Sequence, residues 1–402
     1  MAISVLGAVL YLGVVEAVAA AVDVWLNLEG TAAWLNPYRA MLAILAPLSG
    51  SGGAAHFAQT AFGCVAVLVA IGGALNAVAI ARLRVWNPSQ AVHEAPRETD
   101  SEAATVQRAR TRSIWNNPII WREICTRAYG RRVFFIKLAY SVFALGVVAY
   151  LMRSAGTGEL VLGMISPVGF AIVLLSLLSL TLINAQAVTA LTSERDGRTL
   201  ELLLATNITA KEFIYGKLGG TFYNTKEVIA IPLLLAAYYA WQGTFSWESF
   251  VYIVLGFAVL APFAAMLGLH SGLSFDSSRS AIGNSLGTLF FLFVGIFVFM
   301  MLLVEARSSF FIQFQSFIVF IGAGSMGLYA SLTRKNPSAA LTLSAGLLPF
   351  LTFYAITEFL LQGTLGVCLA IAGAYGFATL AMLVPAVSEF DVALGRTTLD
   401  KG

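Results

Sequence analysis

Charge is what this sequence has least of. Only 11% of its 402 residues are Asp, Glu, Lys or Arg, against about 25% in a soluble domain, whose surface needs a polar cover. That shortfall excludes two or three water-soluble domains of ordinary composition. Hydrophobic residues make up 58% and mean hydropathy is +0.82, so most of the chain must face lipid or other membrane-embedded protein. A net charge of +3 is too small to imply a nucleic-acid partner. Cys64, Cys125 and Cys368 lie far apart, which leaves neither a disulfide framework nor a CxxC site. His56, His93 and His270 are equally scattered and offer no metal cluster. No G-x-x-x-x-G-K-[ST] occurs: Gly216-Lys217 is followed by Leu218 and lacks the upstream glycine. Without that loop no backbone cradle for nucleotide phosphates exists, so no ATP and no other cofactor is expected on this chain. H-E-x-x-H and G-x-S-x-G are missing too, so a membrane-embedded enzyme is disfavoured.

What the sequence does have is long apolar runs. A membrane helix needs about 20 mostly apolar residues. Such runs fall at 3–24, 56–80, 133–152, 161–191, 223–241, 249–269, 281–304, 310–331, 338–360 and 364–387. The fifth is weakened by Lys226 and Glu227, and the ninth contains Pro349, which membrane helices tolerate. The expected fold class is therefore an all-α polytopic membrane protein of about ten transmembrane helices. With the N-terminus inside, only Arg39, Arg153 and Arg307 of the 24 basic residues fall outside, which sets both termini in the cytoplasm of a cell (inner or plasma) membrane. The first run also reads as a signal peptide cleaved near Ala19-Ala20-Ala21, but no basic residue precedes it and Glu16 interrupts it. An uncleaved span is expected.

Residues 87–114 contain no apolar run; four arginines balance four acids there, and a polar linker is expected. It divides a two-span unit, 1–86, from an eight-span unit, 115–402. The most informative stretch is 192–220, between the fourth and fifth spans. Gly197 permits a sharp turn. Leu200, Leu203 and Leu204 then share one helical face with Glu201 off it, and Thr209-x-x-Glu212 forms a capping box for a second helix. Upstream, Asn117 is an N-cap with Pro118 at the first helical position. Trp121, Ile124, Cys125 and Ala128 follow on one face, with Arg122 and Arg127 turned toward lipid phosphates. Pattern alone describes interfacial amphipathic helices.

The residues go further than the pattern. Glu194 to Thr206, E-R-D-G-R-T-L-E-L-L-L-A-T, resembles the cytoplasmic coupling loop of ABC type-2 transporter permeases. Gly197, Thr199, Leu200, Glu201, Leu203 and Leu204 supply its core and Gly216-Lys217-Leu218 its ending. Arg198, between the glycine and the threonine, departs from the family form, as does Thr206-Asn207-Ile208-Thr209 where Thr-Pro is frequent. Asn117, Pro118, Trp121, Arg122 and Glu123 are similar to the elbow helix that opens such permeases, here 117–130. The serine-rich turn His270 to Ala281 is a weaker match, with His270 expected at the interface. The likeness covers 116–331, and 1–86 looks like the tail of a preceding permease half. It implies a separate ABC ATPase subunit that binds ATP and docks on the coupling helix through Glu194, Arg195, Gly197, Thr199, Leu200, Glu201, Leu203 and Leu204. It also implies a second permease half or a homodimer, and transport of an unidentified substrate, most often export. An ion-gradient-driven secondary transporter is the alternative, although no internal repeat supports it. Glu16, Asn184 and Gln186 are intramembrane polar groups that either line a pathway or pack between helices.

Overall fold

The computed structural model describes residues 117–125, 130–154, 165–197, 208–306, 309–335, 338–361 and 363–388, with most of 62–80. The described residues are almost entirely helical and include no strand. In chain order the helices are α1 (Pro118–Cys125), α2 (Gly130–Ser154), α3 (Pro167–Asp196), α4 (Ala210–Trp241) and α5 (Trp247–Ser274). Next comes α6, which joins Ser278–Phe290, a π-helical turn Phe291–Gly295 and Ile296–Ala306. Then come α7 (Phe310–Leu332), α8 (Ala339–Leu360) and α9 (Leu365–Ser388). Among the described residues seven helices, α2, α3 and α5 to α9, are long and apolar enough to cross a membrane. This is the architecture of a helical membrane protein. The chain divides into two compact units: a smaller one holding the short apolar helix Phe62–Val78 and residues Leu145–Tyr150, and a larger one holding α1, α3 to α9 and the rest of α2.

Helix ends follow the local chemistry. Ser166 caps α3, its hydroxyl accepting from the Gly169 N–H at 3.1 Å, with Pro167 at the first helical position. The expected capping box forms: the Glu212 N–H reaches Thr209 Oγ1 at 3.3 Å and the Thr209 N–H reaches Glu212 Oε2 at 3.0 Å. Its consequence differs from expectation. Instead of a short helix and then a span from 223, one continuous helix runs from Ala210 to Trp241. No break falls between the capping box and residue 223 because Phe213, Ile214, Gly216 and Lys217 are buried and carry the packing through, and Pro232 lies farther along the same helix. Exposed Tyr223 and Trp241 stand about 27 Å apart along α4, close to the ~30 Å hydrocarbon thickness that aromatic residues bracket.

Small residues set the tightest contacts. On α5, a Cβ added at Gly268 would lie 2.7 Å from the Asn184 carbonyl oxygen, and one at Gly272 would lie 2.9 Å from Leu191. Their i, i+4 spacing lets α5 approach α3 backbone to side chain, the small-xxx-small device of membrane helices. The outer surface is the inverse of a soluble protein's: Phe310, Phe311 and Met326 on α7 are all at least 73% exposed. Arg195, Lys211, Lys217, Arg279, Arg334 and Lys335 gather at the end formed by the α3 and α7 C-termini and the α4 and α6 N-termini. We call it the basic end.

Candidate functional site

The site is built where α1, α3 and α4 meet at the basic end. Asn117 does two jobs there. Its Oδ1 accepts from the N–H groups of Ile119 (3.0 Å) and Ile120 (3.1 Å), capping α1, while its Nδ2 donates to the Glu212 carbonyl (3.0 Å) in the first turn of α4. Two glycines then let α1 lie directly on α4. A Cβ at Gly216 would fall 2.8 Å from Ile119 and one at Gly220 would fall 2.6 Å from Glu123.

That approach delivers Glu123 to Lys217. The Lys217 ammonium lies 2.5 Å from Glu123 Oε1, 2.6 Å from Glu194 Oε1 and 3.2 Å from the Ala190 carbonyl, so each of its three protons has an acceptor. Arg122 pairs with Glu194 and stands 3.7 Å from Glu123. Side-chain exposure is 0% for Lys217, 1% for Glu123 and 10% for Glu194. The four formal charges cancel, which is the condition for keeping them out of water.

The next two residues of α3 hold a different neighbour. Arg195 donates to the carbonyls of Gly272 (3.1 Å) and Phe275. Asp196 accepts from Ser278 Oγ at 2.6 and 2.7 Å. The α5–α6 turn is held from its far side as well, with Arg334 4.6 Å over the Phe275 ring and Lys335 2.9 Å from Asp276. The Lys335 hydrogen bond holds the exposed Asp276 carboxyl below its ordinary range. The Thr209 backbone N–H does the same for Glu212.

Set against the sequence expectations, Asn117 and Pro118 stand as cap and first residue of α1, and Trp121 is half-buried. The described part of α1 ends at Cys125, short of 130. Arg122 turns to the ion cluster instead of outward to lipid phosphates, and Glu123 is buried in the same cluster. Glu194 and Arg195 are likewise engaged within the chain. Gly197 ends α3 with φ −80°, a conformation open to any residue, so glycine's special freedom is not what stops the helix. Thr199, Leu200, Glu201, Leu203 and Leu204 lie outside the described residues, as does Glu16.

Asn184 is packing, satisfied at both ends: Nδ2 donates to the Ala264 carbonyl and Oδ1 accepts from Ser285 Oγ, each at 2.8 Å. Gln186 is half-buried, and its Nε2 has no hydrogen-bond partner among the described residues. His270 is a correction. Expected at the interface, it is buried, its Nε2–H donating to the Leu332 carbonyl at 2.9 Å, because α5 continues to Ser274 against α7. Glu227 pairs with Lys137 at 2.7 Å, and Lys226 sits 4.3 Å over the Tyr223 ring. Sequence reasoning missed Lys217 as the hub; the signal available was its place between Gly216 and Gly220, spaced to seat a helix. Among the described residues no three His, Cys, Asp or Glu side chains gather as a metal site.

No protein-family model, curated protein or solved structure matches this chain.

Proposed function

We propose that this protein is the membrane-spanning permease subunit of an ATP-driven transporter, energised by a separate ATPase docked on the loop between α3 and α4. The basic end faces the cytoplasm in this reading, and α4 is a further span despite its charges. The observation that carries the reading is the bracing of that loop. Its two stems, the end of α3 and the start of α4, are joined to each other and to α1 by buried Glu123, Glu194 and Lys217. A solvated connector has no use for so costly a junction, since desolvating each ion costs several kcal/mol before pairing returns it. A loop that must carry force does, because a push on it then moves three helices together. The amphipathic stretch bearing Leu200, Leu203 and Leu204 is the part offered to the ATPase, as a helix laid in a groove. Nucleotide-driven closure of the ATPase then rocks the spans between accessible states. A second permease half or a second copy completes the translocation path, and export of an unidentified substrate is the expected direction.

The test is co-purification. The tagged protein, expressed in its source cells and solubilised in mild detergent, should bring down an ATPase with a phosphate-binding loop. Leu203→Asp should abolish that capture while leaving yield and unfolding midpoint unchanged, because an unpaired carboxylate in an apolar groove costs several kcal/mol. Leu203→Ala should weaken it less. Undiminished capture by the Asp variant returns the loop to an interfacial helix.

A further inference from the structure

We propose that the larger unit contains a flexing plane at mid-depth, where α5 and α8 each carry a proline and α6 a π-helical turn, about which their outer halves swing while the basic halves of α5 and α6 stay fixed to α3. The inference stands apart from the ATPase reading.

Residues beside all three meet one side chain, Tyr375 of α9. Pro262 in α5 precedes Phe263, whose ring meets Tyr375 of α9 edge-on at 4.7 Å. The π-helical turn of α6 contains Phe293, stacked on the same Tyr375 ring at 5.5 Å. Pro349 in α8 lies one turn before Thr352, whose hydroxyl is 2.6 Å from the Tyr375 hydroxyl. A proline inside a helix deletes one backbone hydrogen bond and crowds the carbonyl four residues back; a π turn breaks the same ladder by inserting a residue. Both lower resistance to bending at that point. The pivot is held from the other side by Phe291, also in the π turn. Its ring occupies the notch left by Gly324 on α7, where a Cβ would lie 2.1 Å from it.

Polar links are distributed unequally about this plane. On its basic side, α5 and α6 are tied to α3 and α7 repeatedly: Asn184 to the Ala264 carbonyl and Ser285, Arg195 to the Gly272 carbonyl, and Asp196 to Ser278. Asn284 meets Ser331 at 2.7 Å and His270 the Leu332 carbonyl. On the outer side the described residues give α6 two interhelical links. Gln313 donates to the Leu303 carbonyl at 3.2 Å, and Thr357 to the Met300 sulfur at 3.8 Å. Those links join α6 to α7 and α8, not to α3. Meanwhile α3 is helical throughout, with proline only at its first residue. The outer half of α6 is thus tied to α7 and α8 and, among the described residues, has no polar link to the reference helix, above a level at which α5, α6 and α8 are each weakened by a proline or a π turn.

Paired spin labels on the full chain in lipid nanodiscs, with the native cysteines replaced, test this. Labels at Val173 on α3 and Val304 on α6 report the outer side; labels at Ser193 and Arg279 report the basic side. The outer pair should show two distances or one broad distribution, and the basic pair a single narrow one. Pro262→Ala with Pro349→Ala should narrow the outer distribution toward the width of the basic one. A narrow outer distance in the wild-type chain, or equal breadth at both ends, overturns the proposal even if the proline variants do not fold. An outer distribution unchanged by both substitutions overturns it as well.

Discussion

Replacing Lys217 by methionine should be among the most damaging single changes in this protein. Methionine keeps the unbranched shape and removes the charge, so the effect isolates electrostatics from packing. Three acceptors lose their donor at once: Glu123, Glu194 and the Ala190 carbonyl. Arg122 still pairs with Glu194. Glu123 is the group left stranded, its side chain 1% exposed and its nearest cation 3.7 Å away. Breaking a buried ion pair by removing one partner costs about 3–5 kcal/mol, and the loss here should fall in that range. Urea unfolding in detergent, followed by tryptophan fluorescence, reads it as a shift of the midpoint. The decisive measurement is the double variant. Adding Glu123→Gln to Lys217→Met restores charge balance around Arg122 and Glu194 and should recover at least half of the loss. Glu194→Gln in the same background should recover less, because it strips Arg122 of its close partner. A Lys217→Met protein within about 1 kcal/mol of wild type would refute the reasoning. So would a glutamine at 123 that deepens the defect.

Other consequences are open to the same assay. Gly220→Ala places a Cβ 2.6 Å from that of Glu123 and should cost about 1–3 kcal/mol by lifting α1 from α4; with Lys217→Met the loss should be less than additive, since both act through Glu123. Gly268→Ala meets the α3 backbone itself, 2.7 Å from the Asn184 carbonyl oxygen, and should cost a similar amount but add fully to Gly220→Ala. Glu212, whose carboxyl is held below its ordinary value of 4.5 by the Thr209 N–H, contributes stability that is complete above that value and lost as pH falls through its lower folded pKa. Glu212→Ala should therefore lower the midpoint near neutral pH, and its difference from wild type should vanish on acidification.

How much of this the sequence disclosed depends on the range of the interaction. Local signals were legible. Asn117-Pro118 and Thr209-x-x-Glu212 name their own hydrogen bonds, because cap and capped groups lie within three residues of each other. The apolar runs were legible too, since length and composition alone decide them. Contacts across the fold were not. Glu123 and Lys217 are 94 residues apart, and nothing in either segment says that the two charges share a dry site. Arg122 looked like a residue for lipid phosphates because periodicity places a side chain on a face without saying what covers that face. The π turn in α6 was equally hidden, as Phe291 to Gly295 reads like any other apolar stretch.

The end of α3 shows why three adjacent charges can serve four neighbouring helices. Successive residues on a helix point about 100° apart, so Glu194, Arg195 and Asp196 radiate from the last turn instead of sharing a face. Glu194 reaches α1 and α4 through Arg122 and Lys217, Arg195 reaches the carbonyls that end α5, and Asp196 reaches the first residue of α6. The free carbonyls of a helix C-terminus attract cations, and Arg195 answers that need for α5 while anchored on α3. The bundle therefore gains a junction that costs no extra residues beyond the helix itself. Its weakness is of the same origin: a one-residue insertion before Glu194 would rotate all three charges by about 100° and disconnect every arm together. Such an insertion should weaken the hold on α1 and on the α5–α6 turn in a single step, visible as a simultaneous fall of amide protection in both, whereas Arg195→Ala should weaken the turn alone. Loss of protection at α1 in the Arg195→Ala protein would show that the arms are not independent.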